Sequence, residues 1–298
     1  MSSASSEVRR ARPLLGTFVE IGARGLAHDR LHGAIDRAFA AIERVHRLMS
    51  FHDPASDVSR LNRLAARRAV AVHPWTSEVL RQAQHFAAIS DGDFDISVAP
   101  LLQKWGYLPR EKNRPLPRRI SDYRKIELLD RDRVRFHDSC VSIDLGGIAK
   151  GFAVDQAVRI LEAENVVAGL VNAGGDLRAL GSCAVEIRNP ALGGPSPAKL
   201  ALENDALATS AHYFARKRWR GRNVTPLVSP RDRAACFRYA SVSVRAPSCL
   251  HADALAKIAM LRGPRAFPLL EKFAAHALLV TSAGEVVCSP GWHEKTRN

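Results

Sequence analysis

The sequence predicts an α+β fold. Short segments typical of strands occur in runs, and amphipathic segments typical of helices lie between them, without the regular strand–helix alternation of a parallel sheet. The chain has 298 residues, of which 46% are hydrophobic and 25% charged. A chain of this length buries roughly three quarters of its unfolded surface. This composition excludes a disordered protein, a collagen-like fibre and a small disulfide-rich scaffold.

The first third of the chain is predicted to be mainly helical. Residues 1–11 are rich in serine and predict a flexible N-terminus, and residues 17–21 alternate apolar and polar positions as a strand does. Apolar residues that recur every three or four positions then indicate amphipathic helices. The predicted helices cover residues 27–49, 57–66 and 76–90. A loop over residues 91–105 follows them.

The remaining two thirds are predicted to contain many short strands and three more helices. The strands are short apolar or alternating runs that are separated by turn residues. They cover residues 125–129, 134–137, 139–143, 166–171, 177–180, 184–188, 198–202, 205–209, 239–244, 277–281 and 284–288. The helices cover residues 146–164, 248–261 and 264–276. The last two strands are predicted to form a hairpin.

The formal net charge is +14, from 44 Lys and Arg against 30 Asp and Glu. Eight basic residues and one acid lie within residues 216–238, and a smaller basic cluster lies within residues 110–119. Such clusters attract phosphate-rich partners. Three explanations remain open: a solvated basic surface, a site for an anionic ligand or acidic protein, and a nucleic-acid site. No recognition-helix, zinc-finger or RNP pattern accompanies the charge, which argues against nucleic acid.

Neither a membrane span nor an export signal is predicted. The longest apolar stretches, residues 166–173 and 274–281, are far shorter than the ~20 residues that cross a bilayer. An Arg-Arg pair near the N-terminus precedes an apolar run, but Gly16 and Glu20 interrupt that run too early for a signal peptide. The five cysteines are an odd number and form no C-x-x-C motif. We therefore expect a cytoplasmic protein with reduced thiols.

The most informative segment covers residues 141–151. A predicted strand ends at Asp144, Gly146 and Gly147 turn the chain, and Lys150 lies in the first turn of a predicted helix. Adjacent glycines let a ligand approach the backbone, and a helix N-terminus offers free N–H groups to an anion. The spacing matches neither a dinucleotide-binding fingerprint nor a Walker A loop. These residues alone fit an anion site and a structural turn equally well.

Three further segments are candidates for chemistry. Residues 171–176 form a second glycine turn that ends in an aspartate, and residues 90–106 place three carboxylates within five positions without the EF-hand pattern. Asp253 and Lys257 lie four residues apart on one predicted helix. Such a pair is either a simple helical ion pair, which contributes about 0.3–0.5 kcal/mol at a surface, or part of a site.

Seven segments occur in an order that is characteristic of one known family. They are residues 15–17, 49–62, 93–100 with 105–106, 144–151, 171–176, 206–210 and 252–256. Together they resemble the FAD:protein FMN transferases, the ApbE family, from about residue 12 to residue 290. The resemblance implies one T-fold-like unit over residues 12–298, with mixed antiparallel sheets and packed helices. It also implies that FAD is cleaved at its pyrophosphate, that FMN is attached through its phosphate to Thr or Ser of an acceptor flavoprotein, and that AMP is released.

The resemblance also implies roles for individual residues. The implied FAD contacts are Leu15, Phe51, Phe94, Asp95, Asp144, Lys150 and Leu227. The carbonyl of Gly147 and the carboxylate of Asp253 would face a Mg²⁺ ion, and Asp253 and Lys257 occupy the catalytic positions. Such an ion would neutralise the pyrophosphate and the departing AMP.

Lys257 departs from the family pattern, which has Thr at this position as the second side-chain metal ligand. Two unit charges at about 4 Å repel by about 4 kcal/mol at an effective dielectric near 20, and Mg²⁺ carries two charges. An ammonium and Mg²⁺ therefore do not share one carboxylate. Either the Lys257 side chain turns away, or its ammonium replaces the metal.

Two further departures concern proton transfer. Residues 226–230 replace a His-Ile-Ile-Asp-Pro run, so that Pro226 stands for the histidine and Ser229 for the aspartate, and Ala211 stands for a glycine. His212 and His251 are candidate substitutes for the missing base. These changes leave a second hypothesis open, an FAD-binding relative that has lost transferase activity and acts as a flavin carrier.

Overall fold

The computed structural model describes residues 7–110, 116–117, 121–188, 198–212 and 215–292. The strands are β1 (Glu7–Leu14), β2 (Thr17–Arg24), β3 (Val70–Ala71), β4 (Ile126–Leu129), β5 (Arg133–Phe136), β6 (Ala168–Ala173), β7 (Asp176–Leu180), β8 (Ser182–Ile187), β9 (Ala198–Glu203), β10 (Ala206–Ala211), β11 (Lys217–Trp219), β12 (Arg222–Val224), β13 (Val228–Ser229), β14 (Ala234–Ala235), β15 (Ser241–Ala246), β16 (His276–Val280) and β17 (Val286–Cys288). The helices are α1 (His28–Met49), α2 (Asp57–Leu64), α3 (Pro74–Ile89), α4 (Ala99–Lys104), α5 (Ala149–Ala163), α6 (Cys249–Arg262) and α7 (Phe267–Glu271). This mixture of antiparallel sheets and helices confirms the α+β prediction.

The described residues group into two compact units, whereas the sequence predicts one. The first unit contains the described residues of Met1–His46, Lys150–Ala211 and Arg238–Asn298, and the second contains those of Arg47–Ala149 and His212–Phe237. The chain leaves and re-enters the first unit twice. No long Pro-, Gly- or Ser-rich linker lies where the chain passes from one unit to the other, so the composition of the sequence does not indicate the boundaries between the units.

The first unit is built on an eight-stranded antiparallel sheet. Its strand order is β1-β2-β6-β7-β10-β15-β16-β17, and β8 and β9 form a separate ribbon. Leu177, Leu207 and Leu278 pack with Val185 and Leu202 of the ribbon in a common core. Helix α6 packs against β10 and β15. It is buried on nearly all sides, because ten of its residues, mostly small or apolar, are shielded from solvent.

The second unit combines helices α2, α3 and α4 with small antiparallel sheets. Strands β3, β5 and β4 form a three-stranded sheet, and β11–β12 and β13–β14 form two ribbons. Leu101 and Trp105 of the α4 region pack with Val224 of β12 in a small core. The first unit therefore carries the large sheet, and the second unit carries mainly helices and short ribbons.

The N-terminal prediction is wrong for residues 7–11. These residues belong to β1, which pairs with β2 from Glu7 opposite Arg24 to Leu14 opposite Thr17. The Arg10 guanidinium contacts Asp36 of α1 at 2.9 Å, so this part of the serine-rich N-terminus is a strand that also binds a helix. Residues 1–6 lie outside the described residues.

Three further segments for which the sequence predicts a definite structure differ from that prediction, and the short strands β3 and β11 to β14 were not predicted. Residues 139–143 form no strand, because the Asp138 side chain accepts the Cys140 N–H at 2.9 Å and turns the chain. The predicted loop over residues 91–105 contains α4. The predicted helix over residues 264–276 ends at Glu271, since Ala274 adopts a φ of 48° and the chain turns into β16. The predicted hairpin of the last two strands is confirmed as β16–β17.

The described residues also bear on the membrane prediction and on one of the two basic clusters. Within the described residues, no helix combines the length and apolar character that a membrane span requires. Most of the predicted basic cluster at residues 110–119 lies outside the described residues.

Candidate active site

The centre of the candidate site is the close packing of α5 on the start of α6 in the first unit. A Cβ atom added to Gly151 would lie 2.3 Å from the Cys249 carbonyl oxygen, so only glycine fits at this position of α5. The Gly151 N–H donates to Oδ2 of Asp253 at 3.1 Å. The last glycine of the 141–151 segment therefore serves helix packing, and its N–H holds the candidate carboxylate.

Replacing Gly151 with alanine is expected to lower the free energy of unfolding by about 1–3 kcal/mol, the usual cost of overpacking. Gly33→Ala is the matched control, because a Cβ at this helical glycine of α1 would meet only the Arg37 side chain, at 3.4 Å. We expect the control to be neutral or to stabilise by up to about 1 kcal/mol. Urea unfolding followed by circular dichroism measures both variants. Equal effects of the two substitutions would refute the packing argument.

Asp155 of α5 holds the N-terminus of α6. Its carboxylate accepts the Cys249 and Leu250 N–H groups, each at 2.9 Å, and also contacts the Arg178 guanidinium at 2.9 Å. The first backbone N–H groups of a helix have no partner within the helix, and a carboxylate there satisfies them and favours the helix dipole. Asp155 therefore fixes the point from which α6 carries Asp253.

Two lysine–aspartate pairs lie beside this junction. Lys150 in the first turn of α5 binds Asp176, the first residue of β7, and Lys257 binds Oδ1 of Asp253 within α6. The Asp176 and Asp253 side chains are 1% and 0% exposed, whereas the lysine side chains are 31% and 21% exposed. The carboxylates are thus fully enclosed, while the cations still reach solvent.

Charge coupling fixes the ionisation of this cluster. Burial lowers the pKa of the Lys150 ammonium, but the carboxylates of Asp176 and Asp253 raise it more, so it lies above its ordinary value. Burial raises the pKa of Asp253, but Lys257 and Lys150 outweigh burial and lower it. Burial and the Asp253 charge raise the pKa of Asp176. Burial, followed by the nearby carboxylates, raises the pKa of the Cys249 thiol, which therefore stays protonated and is no nucleophile.

The donor set does not fit a Mg²⁺ ion. Mg²⁺ requires several oxygen ligands in near-octahedral arrangement, but Oδ1 of Asp253 binds the Lys257 ammonium and Oδ2 accepts the Gly151 N–H. An ammonium has no lone pair to donate to a metal. In the described part of the chain, no cluster of three or more His, Cys, Asp or Glu side chains is arranged to hold a metal ion.

Leu15, a predicted FAD contact, lies in a strained turn of the first unit. It joins β1 to β2 with a φ of 54°, a backbone conformation that is uncommon for a residue with a branched side chain. Thr17 packs against the turn between β6 and β7. A Cβ on Gly174 of this turn would lie 2.4 Å from the Thr17 hydroxyl oxygen. The segments at residues 15–17 and 171–176 therefore meet at one end of the sheet, whereas the FAD contact of Leu15 stays a prediction.

In the second unit, Phe51 lines a cavity of about 540 Å³. Asn62, Arg63 and Arg110 also line it, together with the 139–142 turn. Asn62 fixes the end of the segment 139–143, which forms no strand. Its side chain accepts the Ile143 N–H at 2.7 Å and donates to the Ile143 carbonyl at 2.9 Å. This volume lies within the range of small-molecule pockets.

Two predicted FAD contacts of the second unit have clear structural partners. Phe94 is buried and packs edge-on against Phe86 with ring centroids 6.1 Å apart. Asp95 accepts the Ser97 N–H at 2.8 Å and the Tyr123 N–H at 3.1 Å, and burial raises its pKa. These contacts explain the two residues as parts of the fold, and their contact with FAD remains a prediction.

The remaining predicted residues of the second unit are more accessible. Asp144 is half-buried and accepts the Gly146 N–H at 3.2 Å, and burial raises its pKa. Gly147 is half-buried and lies two residues before α5. Leu227 is half-buried, and its carbonyl accepts the Cys236 N–H at 2.8 Å beside the β13–β14 ribbon.

A comparison with protein families and solved structures identifies the chain. The model of the ApbE family matches residues 15–279. The chain belongs to the ApbE family. The FAD:protein FMN transferase of Haemophilus influenzae is 25% identical over 93% of this chain and 86% of its own length, and that of Vibrio cholerae is 26% identical over 87% and 82%. The crystal structure of the ApbE protein from Thermotoga maritima is 26% identical and has a TM-score of 0.86, covering 96% of this chain and 98% of that one.

The basic stretch at residues 216–238 of this ApbE family member has internal partners. Lys217 lies over the Tyr107 ring at 4.5 Å and donates to the Gly106 carbonyl at 2.9 Å. Arg231 binds Asp91 at 2.5 Å and Asp93 at 3.1 Å. These cation–π and ionic contacts hold the stretch against its own unit. They give its charge a structural role.

The two histidines that we considered as bases differ in their surroundings. Burial, assisted by Arg216, lowers the pKa of His212, whose ring nitrogens have no hydrogen-bond partner among the described residues. A neutral imidazole of this kind can accept a proton. His251 packs edge-on against Phe273 at 5.3 Å. A role as base stays a prediction for both.

Ser210 is a polar residue of the site that the sequence analysis did not single out. Ala208 pairs with Asp176 between β10 and β7, so Ser210, two residues further on, shares the Asp176 face of the sheet. Its hydroxyl is buried and has no hydrogen-bond partner within the described chain. The only signal in the sequence was its position at the end of the 206–210 segment, which resembles the ApbE family.

Proposed function

We propose that this chain is an FAD:protein FMN transferase that attaches FMN to Thr or Ser of an acceptor flavoprotein. Its relatives from Haemophilus influenzae and Vibrio cholerae bear this name and match most of its length. The observation that supports the proposal best is the pair of partly exposed ammonium groups, on Lys150 and Lys257, that are bound to enclosed carboxylates. Cations fixed in this way suit a phosphate-containing substrate.

The two lysines retain the capacity to bind phosphate oxygens. An ammonium has three N–H donors, and the contacts to Asp176 and Asp253 use one donor of each lysine. The remaining donors make charge-assisted hydrogen bonds to a pyrophosphate, which are stronger than bonds between neutral groups. Because the carboxylates hold the lysines in place beforehand, little side-chain freedom is lost when FAD binds.

The proposed reaction transfers the FMN moiety in one displacement. The hydroxyl oxygen of the acceptor forms a bond to the flavin-side phosphorus, and the bond between this phosphorus and the bridging oxygen breaks. AMP leaves with the bridging oxygen, and the hydroxyl proton passes to water. Fixed cations stabilise the negative charge that develops on the phosphates during the transfer.

We further propose that the protein acts in a reducing compartment, the cytoplasm. All five cysteines are free thiols, and two of them, Cys236 and Cys249, are buried. Free thiols are typical of proteins in the reducing cytoplasm.

The proposal is tested with the purified chain, FAD and an acceptor flavoprotein that a characterised relative modifies. We expect AMP release and a fluorescent acceptor band that survives denaturation, with a mass increase of one FMN on the acceptor. An acceptor whose target Thr or Ser is replaced by Val or Ala is the control and should stay unlabelled. FAD binding without AMP release or labelling would refute the transferase proposal and support the flavin-carrier hypothesis.

A further inference from the structure

We infer that the Lys257 ammonium takes the place of the divalent cation that the resemblance to the ApbE family implies, so that this chain binds FAD without a metal ion. The inference rests on the proposed function, because it concerns the same phosphate-binding site. It also settles the choice that the sequence left open for Lys257. The side chain does not turn away from Asp253 but binds it within α6.

Both carboxylate oxygens of Asp253 already have partners. Oδ2 accepts the Gly151 N–H at 3.1 Å, and Oδ1 binds the Lys257 ammonium. The Asp253 side chain is completely buried. A metal ion at this carboxylate would have to displace the Lys257 ammonium from its only acidic partner within α6, and the charge of the ion would repel the ammonium beside it.

The charges of the cluster are balanced without a metal ion. Three carboxylates, on Asp155, Asp176 and Asp253, are paired with three cations, on Arg178, Lys150 and Lys257. A divalent ion added to this neutral set would bring two uncompensated positive charges into a buried site. With Thr in place of Lys257, the same set would carry one net negative charge and would attract a cation. The lysine therefore both occupies the position and removes the attraction.

The Lys257 ammonium retains the electrostatic role of an ion. The Lys257 side chain is 21% exposed, while its partner carboxylate is enclosed. The free N–H donors of Lys257 can therefore contact an anionic ligand, as Lys150 can from α5. The positive charge is built into α6 and needs no supply of metal.

The inference is tested first by Mn²⁺ binding to the full-length protein, measured by electron paramagnetic resonance. The unaltered protein is expected to bind no Mn²⁺ at this site. Lys257→Thr should gain one Mn²⁺, because Asp253 is then unpaired and a hydroxyl oxygen stands beside it. Lys257→Met removes the charge without providing an oxygen, and Lys272→Met at an exposed position is the matched surface control. Failure of Lys257→Thr to gain Mn²⁺, with circular dichroism showing a folded protein, would contradict the inference.

The second measurement begins with the unaltered protein, so its first result does not depend on a variant that folds. Flavin fluorescence gives its FAD affinity in Mg²⁺ and in EDTA, and we expect the same affinity in both. For Lys257→Thr, Mg²⁺ should strengthen FAD binding by about tenfold, the scale of one charge-assisted contact. Loss of FAD binding by the unaltered protein in EDTA would overturn the inference. So would stoichiometric Mn²⁺ binding that Asp253→Asn abolishes.

These measurements separate the inference from the proposed function. If no AMP is released in Mg²⁺ or in EDTA, the transferase proposal fails, while Mn²⁺ and FAD binding still decide the role of Lys257. If AMP is released only with Mg²⁺, the transferase proposal stands and the inference fails.

Discussion

Asp155→Ala is expected to lower the free energy of unfolding by about 3–5 kcal/mol, the cost of removing one partner from a buried ion pair. The carboxylate is buried and contacts the Arg178 guanidinium and the Cys249 and Leu250 N–H groups, each at 2.9 Å. Alanine leaves the Arg178 guanidinium, which is 17% exposed, and two N–H groups of the α6 N-terminus without their acceptor. Guanidinium unfolding, followed by circular dichroism, measures the loss.

Two control variants show whether the ion pair and the helix contact cause this effect. Asp155→Asn retains an oxygen that can accept an N–H and should lose less stability than Asp155→Ala. Asp29→Ala removes an acidic residue from the first turn of α1, where the side chain is fully exposed, and should change stability by less than about 0.5 kcal/mol. If Asp155→Ala is as mild as Asp29→Ala, Asp155 does not hold the start of α6.

Elements with a strong hydrophobic period could be predicted from the sequence. The prediction for helix α1 differs from the structure by one residue at its start. It succeeds because Leu31, Ile35 and Phe39 repeat at helical spacing and are all fully buried. Strand β1 was missed because residues 1–11 are rich in serine and suggest a flexible tail, whereas Arg12 of this strand contacts Asp36 of α1. Hydropathy describes burial of apolar surface, and it carries no information on a strand whose side chains bind charges elsewhere in the fold.

The candidate site could be predicted only where its partners lie close in sequence. The Asp253–Lys257 pair follows from helical spacing, and the structure confirms it. The partner of Lys150 is Asp176, which lies 26 positions away in another glycine turn, and no local pattern connects the two. Asp155 lies within the predicted helix, but its hydrogen bonds reach α6, which begins 94 residues later. Such contacts depend on how the helices and the sheet pack, so the sequence alone could not assign them.

Lys150→Met is expected to weaken FAD binding by about 10- to 100-fold, since a hydrogen bond to a charged group contributes about 1.5–3 kcal/mol. If the proposed transfer occurs, its rate should fall by a further factor of about 10²–10³, the usual loss when one donor to the transition state is removed. Methionine retains the length of the side chain and removes the ammonium. Flavin fluorescence measures binding, and AMP release measures transfer.

The same substitution leaves Asp176 without its ammonium partner. Burial and the Asp253 charge already raise the pKa of Asp176 with Lys150 present, and removal of Lys150 raises it further. A carboxyl group whose pKa is higher in the folded than in the unfolded state binds more protons when folded, so stability falls as the pH rises. Lys150→Met should therefore lose stability as the pH rises from about 4, the ordinary pKa of aspartate, towards neutrality.

The double variant Lys150→Met/Asp176→Asn separates binding from charge pairing. It contains neither the ammonium nor the carboxylate, so the fall in stability between acid and neutral pH should be smaller than in Lys150→Met. FAD binding should stay as weak as in the single variant, because the donor to the phosphate is still missing. If the double variant regains both stability and FAD affinity, Lys150 serves only to neutralise Asp176, and the phosphate contact assigned to it is wrong.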